Sequence, residues 1–291
     1  MLDTKIFTFL KVAQHRNYTR AAAELNLTQP AVTQHIKKLE EYYNCTLIDI
    51  DGKSVKLTEQ GKLLYNYANF QIANEEQLMN QINKVETPIK IGATLSIADY
   101  YLPHYLSSYL TNNDELLSVT VKNTESIIEM LLNNELYCAF IEGIFDKSLF
   151  HYYEFCNTRF LPVARKGHPL EGLEVTISEI HKYPLILREK GSGTREIYEN
   201  YLYENNDSLL SASQIYEISS LGIIKKLLSN SDAISFMYEE VARQEVEKGE
   251  LCYLNIKNYS IRRPLYFIYP SNSLMKEKNE LFYKKMIQEY K

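Results

Sequence analysis

The stretch YTRAAAELNLTQPAVTQHIKKLEEYY, residues 18–43, constrains the chain more than any other. Two short helical patterns stand back to back, hinged at Asn26-Leu27-Thr28. In the first, Thr19 is the expected N-cap of an Ala-rich segment whose small side chains let another helix approach closely. In the second, Thr28 is the N-cap and Pro30 falls in the first turn, where a missing N–H is harmless. Val32, Ile36 and Leu39 line one side of this helix, while Gln29, Thr33, Gln34 and Lys37 take the other. Upstream, Leu2, Ile6, Phe9, Leu10 and Ala13 recur at three- and four-residue steps and predict a first amphipathic helix. Three such helices, the last with a polar face that packing does not need, read as a helix-turn-helix. Gln amides and Thr hydroxyls suit base edges in a major groove, and Lys37, Lys38 and Arg20 suit phosphates. On these residues alone, a solvated face in a small helical bundle is the alternative.

The next segment, CTLIDIDGKSVKLTEQGKLLY, has two β-prone runs around Asp51-Gly52, a strong hairpin signal. A hairpin directly after a recognition helix is a wing laid along the sugar–phosphate backbone, with Lys53 and Lys56 as its contacts. From Thr58 a helical pattern runs to about Val85, carrying a stripe of Leu64, Tyr67, Ala68, Gln71, Ile72, Leu78, Met79 and Ile82. Too long and too apolar on one side to stand alone, it needs a partner, either a second copy or its own domain. Thr87-Pro88 ends it.

Residues 1–87 resemble the winged helix-turn-helix of LysR-type transcriptional regulators. The resemblance is carried by FLKVAQHRNYTRAAAELNLTQPAVTQHIKKLEEYY followed by LIDIDGKSVKLTEQGKLL. It implies a DNA-facing set of Arg20, Gln29, Pro30, Thr33, Gln34, Lys37, Lys38 and Lys53. It also implies a double-stranded, pseudo-palindromic operator bound by a homodimer or homotetramer with paired linker helices, a small-molecule co-effector, and RNA polymerase as a partner. One position departs from the family pattern: Ile50 stands where the wing usually carries an Arg, leaving Lys53 to substitute in part.

Charge is distributed to match. The net charge is -5, yet residues 1–87 hold ten Lys/Arg against ten Asp/Glu, so all the excess acid lies downstream. A neutral front with a locally basic helix binds DNA, whereas an acidic bulk repels it elsewhere. The four cysteines, Cys45, Cys138, Cys156 and Cys252, form no CxxC pair and have no His at metal-ligand spacing, so free thiols in a reducing cytoplasm are expected. No cleavable leader and no run of ~18 apolar residues is present, which points to a cytoplasmic protein off the membrane. Catalysis finds no support: Ser192 lacks the Gly-x-Ser-x-Gly elbow, and the six histidines are scattered with no triad or metal arrangement. No cofactor or metal is expected, and His35 reads either as a DNA contact or as exposed helix surface.

Beyond Pro88 strands and helices alternate: IKIGATL, SIADYYLPHYLSSYLTNN, LSVTVKN, TESIIEMLLNN, LYCAFIEG, and a second unit from about Leu161. The expected class is α+β overall. Residues 1–58 form a winged helix-turn-helix, 59–87 a linker and dimerisation helix, and 88–291 a two-lobed α/β effector domain like solute-binding proteins. Lobe I takes about 88–160 and 266–291, and lobe II about 161–265. Ligands in such folds sit beyond the carboxyl ends of strands. Ser96, Asn123 and Thr124 follow strands of the first lobe and open helices, where hydroxyls and free N–H groups make an anion site or, alternatively, ordinary N-caps. REKGSGTRE, residues 188–196, offers Arg188, Ser192, Gly193 and Thr194, a loop that lets a ligand approach its backbone, or else a capped helix start. Ser219 and Ser220 stand at the next strand end. The REKGSGTR run and the Asn123-Thr124-Glu125 motif resemble a LysR branch that includes regulators of sulfur and carbon assimilation, which implies a small anionic co-effector. That branch commonly has Gly-Ser where this chain has Ser219-Ser220. Little negative charge is expected among the cleft residues.

Overall fold

The computed structural model describes residues 3–51, 54–83, 87–112, 115–273 and 275–288. Leu2, Gly52 and Lys53, and the helix end expected near Val85, lie outside the described residues. The chain divides into two compact units, one formed chiefly by residues 1–87 and the other chiefly by residues 88–291.

In the first unit α1 (Thr4–His15) starts at Asp3, whose side chain accepts from the Lys5 amide. Asn17, not Thr19, caps α2 (Tyr18–Glu24): its Oδ1 accepts from the Arg20 N–H at 3.0 Å. The left-handed backbone of Arg16 turns the chain there, two residues earlier than the Ala-rich pattern implies. Thr28 caps α3 (Gln29–Tyr43) by accepting from the Ala31 N–H at 3.3 Å. Ile6, Phe9, Val12, Ala21, Val32 and Ile36 fill the core between the three helices.

The wing, β1 (Ile48–Asp51) and β2 (Ser54–Leu57), is antiparallel with Asp49 opposite Lys56. Two joints fix it. Glu40 of α3 accepts from the Leu47 and Ile48 amides at 2.8 and 3.3 Å. Thr58 donates to the Thr46 carbonyl at 2.7 Å and accepts from the Gly61 N–H at 3.0 Å, opening α4 (Glu59–Ile82). Gly61 presses on the Leu47 carbonyl so closely that a Cβ would lie 2.0 Å from its oxygen.

The apolar stripe of α4 divides. Leu64 and Ala68 are buried and Ile72 packs against the same core as α1–α3, so the first half of the helix belongs to its own unit. Tyr67, Leu78, Met79 and Ile82 are exposed, as is Leu63.

The second unit opens with β3 (Ile89–Thr94), α5 (Leu95–Tyr100), α6 (Leu102–Asn112), β4 (Leu117–Lys122), α7 (Thr124–Leu132) and β5 (Cys138–Ile141). β3 lies parallel to both β4 and β5. The single helix expected from Ser96 onward is broken at Tyr101, because Pro103 takes a place in the first turn of α6, where its missing N–H is tolerated. The 16-residue strand β6 (Phe150–Arg165) then leads into β7 (Glu174–Val175), α8 (Ile177–Ile180), β8 (Leu185–Leu187), α9 (Gly193–Glu204) and β9 (Ile215–Glu217). There follow α10 (Leu221–Ser229), β10 (Ser235–Tyr238), α11 (Glu239–Glu247), β11 (Leu251–Tyr253) and β12 (Asn255–Ile256), and β13 (Ile261–Pro270) and α12 (Lys276–Gln288) end the unit.

The main sheet runs β10-β6-β13-β5-β3-β4, with β11 also on β6. The antiparallel pair β6–β13 crosses between two lobes: β13 meets β5 on one side, while the far end of β6 carries β10 and β11. The pairing shifts register at Leu265/Tyr266. All four cysteines are free thiols. Among the described residues, no helix is long and apolar enough to cross a membrane.

Candidate functional site

On the first unit, Val32, Ile36 and Leu39 turn inwards, and this leaves Gln29, Pro30, Gln34, Lys37 and Lys38 exposed along α3, with Arg20 exposed on α2. Thr33 is half-buried, and its hydroxyl donates to the Gln29 carbonyl at 3.1 Å, so it has no free proton for a base edge. Its oxygen also accepts from Gln29 Nε2 at 3.5 Å, which leaves the methyl group and one lone pair. His35 is not a free surface group: Nδ1 stands 2.8 Å from the Thr8 hydroxyl of α1, a bond that holds helix to helix. Lys56 and Ile50 are exposed on the wing; Lys53 lies outside the described residues.

The second unit brings three strand ends of one lobe against the REKGSGTRE loop of the other. Thr124 is the first residue of α7, while Asn123 caps that helix by accepting from the Ser126 N–H at 3.0 Å. The Thr124 hydroxyl is therefore released for other bonds: it donates to the Glu142 carbonyl of its own lobe at 3.1 Å and accepts from the Gly193 N–H of the other lobe at 3.2 Å. Gly193 must be glycine at this contact, since a Cβ would lie 2.7 Å from the Glu142 carbonyl oxygen and 2.8 Å from Thr124 Oγ1. Ser192 and Thr194, both buried, bond each other through their hydroxyls at 2.9 Å. A pocket of ≈ 480 Å³ opens beside this contact, lined by Thr124, Glu125, Ile144, Gly191, Ser192 and Arg195, among others.

On the inner side lies a cluster that sequence reasoning missed in part. Glu142, directly after β5, is 1% exposed and takes a hydrogen bond from the Thr94 hydroxyl. Burial pushes its carboxyl up to about 7, against the opposing pull of the Thr94 hydroxyl and the Arg188 charge. Ser96, fully buried, faces the same carboxyl, yet its Oγ has no hydrogen bond of good geometry. Arg188 is buried and gives Nε and Nη2 to Glu189 at 2.8 and 2.9 Å, leaving Nη1 unpartnered. Burial alone would raise the Glu189 carboxyl, but the Arg188 guanidinium holds it below the usual range. The Tyr238 hydroxyl, also without a partner, is pushed well above its ordinary value by burial and so stays a donor.

The expectation of little negative charge does not hold. Glu142 and Glu189 lie in the cluster, and Arg195 is paired with Glu199 and Glu217. Carboxylates compensate the arginines because buried guanidinium groups need partners. Ser220 caps α10, accepting from the Ile223 N–H at 3.4 Å, and Ser219 is exposed; among the described residues no hydrogen bond joins either to the cluster. The one signal for Glu142 in the sequence was its place at the end of the apolar run LYCAFI.

Residues 4–62 match the model of the bacterial regulatory helix-turn-helix protein, lysR family, and residues 83–290 match the LysR substrate binding domain. By sequence, the HTH-type transcriptional regulator CysL of Bacillus subtilis (strain 168) is 31% identical over 90% of this chain and 89% of its own length. By structure, ArgP from Mycobacterium tuberculosis superposes with a TM-score of 0.70 at 15% identity, covering 100% of this chain and 97% of that one. The CcmR regulatory domain of Synechocystis PCC6803, solved in complex with 2-PG, gives a TM-score of 0.62 at 23% identity over 69% of this chain and 97% of its own. At these identities the two structures show a shared fold.

Proposed function

The chain belongs to the LysR family of DNA-binding transcriptional regulators, and on that premise we propose how its parts are used. Residues 1–58 read DNA, 59–87 pair two copies, and 88–291 receive the effector between a lobe of about 88–160 and 266–291 and a lobe of about 161–265. The protein works in the cytoplasm on a pseudo-palindromic operator, as a homodimer or homotetramer, with RNA polymerase as its downstream partner. The observation that carries the DNA-reading assignment is the exposed row Gln29, Gln34, Lys37 and Lys38, opposite the buried Val32, Ile36 and Leu39.

Gln29→Ala or Gln34→Ala is expected to relax base preference at one position of each half-site by ~1–3 kcal/mol. Lys37→Ala is expected to weaken binding to every sequence and to lower the salt slope by about 1. Titrations of operator variants at several salt concentrations check both. Specificity unaltered in both Gln variants would move the recognition face elsewhere.

The effector binds by an anionic group at the inner cluster, with Ser96 and Arg188 as its donors and the Asn123–Thr124 and Ser192–Thr194 segments as the walls. The unpartnered Ser96 Oγ and Arg188 Nη1, both buried, support this, because buried donors are seldom left without an acceptor. Ser96→Ala is expected to lower the affinity for an anion-bearing ligand, found by thermal-shift screening, by about 1.5–3 kcal/mol. Operator binding without ligand should be unchanged. Thr124→Ala should instead loosen the lobes, since both hydroxyl bonds of Thr124 go to protein. Calorimetry decides, and an unaltered affinity in Ser96→Ala would remove the cluster from the effector site.

A further inference from the structure

We propose that the effector is a zwitterion of the amino-acid type, held with its ammonium group on the Glu142 carboxylate and its anionic group on Arg188 and Ser96. This rests on the reading of the inner cluster as the effector site and adds the chemical class that the cluster selects.

The charges decide against an anion alone. Arg188 is already bidentate to Glu189, and Arg195 is already shared by Glu199 and Glu217. Arg188 and Arg195 are thus matched or outnumbered by carboxylates, and among the described residues no cation is bonded to Glu142. A purely anionic ligand would have to keep the Glu142 carboxyl protonated, since like charges in a desolvated site repel strongly, whereas a ligand that also carries a cation can sit beside its ionised form.

Glu142 itself calls for a cation. Its side chain is 1% exposed, and the side chains that hydrogen-bond or face it, Thr94 and Ser96, are neutral hydroxyls. Arg188 acts on it only through charge, its forked N–H groups being turned to Glu189. Burial already pushes the Glu142 carboxyl up to about 7, so without a bonded cation it readily takes a proton, and a ligand ammonium group, with the opposite charge and three donors, favours the ionised form instead. A ligand hydroxyl would give one hydrogen bond and, carrying no charge, would not favour the ionised carboxyl over the protonated one.

The remaining groups suit the other end of the same molecule. Among the described residues, Ser96 Oγ, Arg188 Nη1 and the Tyr238 hydroxyl are buried donors with no hydrogen bond of good geometry, Ser96 facing the Glu142 carboxyl. All three take up acceptors, and Arg188 adds charge, which is what a carboxylate or a similar oxyanion requires. Donors and a lone carboxylate in one cluster therefore specify a molecule with both signs of charge a short distance apart.

The test compares twins. Full-length protein is titrated calorimetrically with the twenty common amino acids, with the α-hydroxy acids that share their side chains, and with sulfate and phosphate. At least one amino acid should bind tenfold or more tightly than its hydroxy-acid twin. Glu142→Gln should bring that ratio close to one, Glu142→Asp should keep part of it, and Ser96→Ala should weaken both twins alike. Melting of each variant without ligand shows that it is folded, and Glu142→Asp keeps the test open if Glu142→Gln is not. Equal binding of the twins, tighter binding of sulfate or phosphate, or no binding across the whole panel overturns the zwitterion. Should an amino acid be preferred and its affinity be untouched by both Glu142→Gln and Ser96→Ala, the placement of the site at this cluster fails instead.

Discussion

Replacing Leu78 and Ile82 together with Glu is expected to give a monomer and to weaken binding to a two-half-site operator by about 10²–10⁴-fold, the gain that bivalency supplies. The two side chains are 51% and 65% exposed in the second half of α4, with Met79 between them also exposed. Among the described residues the core of the unit reaches along α4 only to Ile72, so this apolar row lies beyond it. Leu64 is the wrong place for such a test. At 7% exposure it packs with Phe9 and Ala68, so a charge there would unfold the unit rather than separate two copies. Light scattering and operator titration on the double variant check the expectation. A variant that stays soluble and dimeric would move the interface off α4.

Gly61→Ala should act on stability instead. The added Cβ would stand 2.0 Å from the Leu47 carbonyl oxygen and 3.0 Å from its carbon, both backbone atoms. Leu47 has no room to retreat: its N–H is held by Glu40, its carbonyl accepts from the Thr58 N–H at 3.1 Å, and its side chain is buried. The first unit should lose about 1–3 kcal/mol or more, as overpacked sites do, with each kcal/mol lowering its midpoint by about 4–8 °C. DNA binding should fall as the wing shifts away from α3. A melt that leaves the midpoint of this unit unchanged would contradict the joint described.

Much of the first unit was legible because its helices keep one period and carry their own caps. Val32, Ile36 and Leu39 share a stripe in the sequence and a core in the structure. The start of α2 was misplaced because a cap is decided by which side chain reaches an orphan amide, and Asn17 reaches that of Arg20. β6 was hidden for a different reason. Its early part exposes Tyr152 and Tyr153, its later part buries Phe160, Val163 and Ala164, and no single alternation runs through all 16 residues. Of the cleft, Ser96, Thr124 and the 188–196 loop could be read from strand ends and glycines. Glu142 could not, because a Glu after an apolar strand ordinarily points to water, and here it is enclosed by Thr94 and Ser96 from other parts of the chain, with the Arg188 charge nearby.

The β6–β13 pair has a mechanical meaning. The two strands stay in register partnership from Ile261 opposite Phe160 to Pro270 opposite Phe150, so every chain crossing between the lobes is bonded to its neighbour. Two bodies joined by such a ribbon cannot slide past each other or part without breaking backbone hydrogen bonds. Bending and twisting remain, and at the register shift at Leu265/Tyr266 the ladder of the ribbon is interrupted. A ribbon of this kind thus leaves the two lobes free to bend and twist about it but not to slide, and the choice of contacts between them reduces to a choice of those angles.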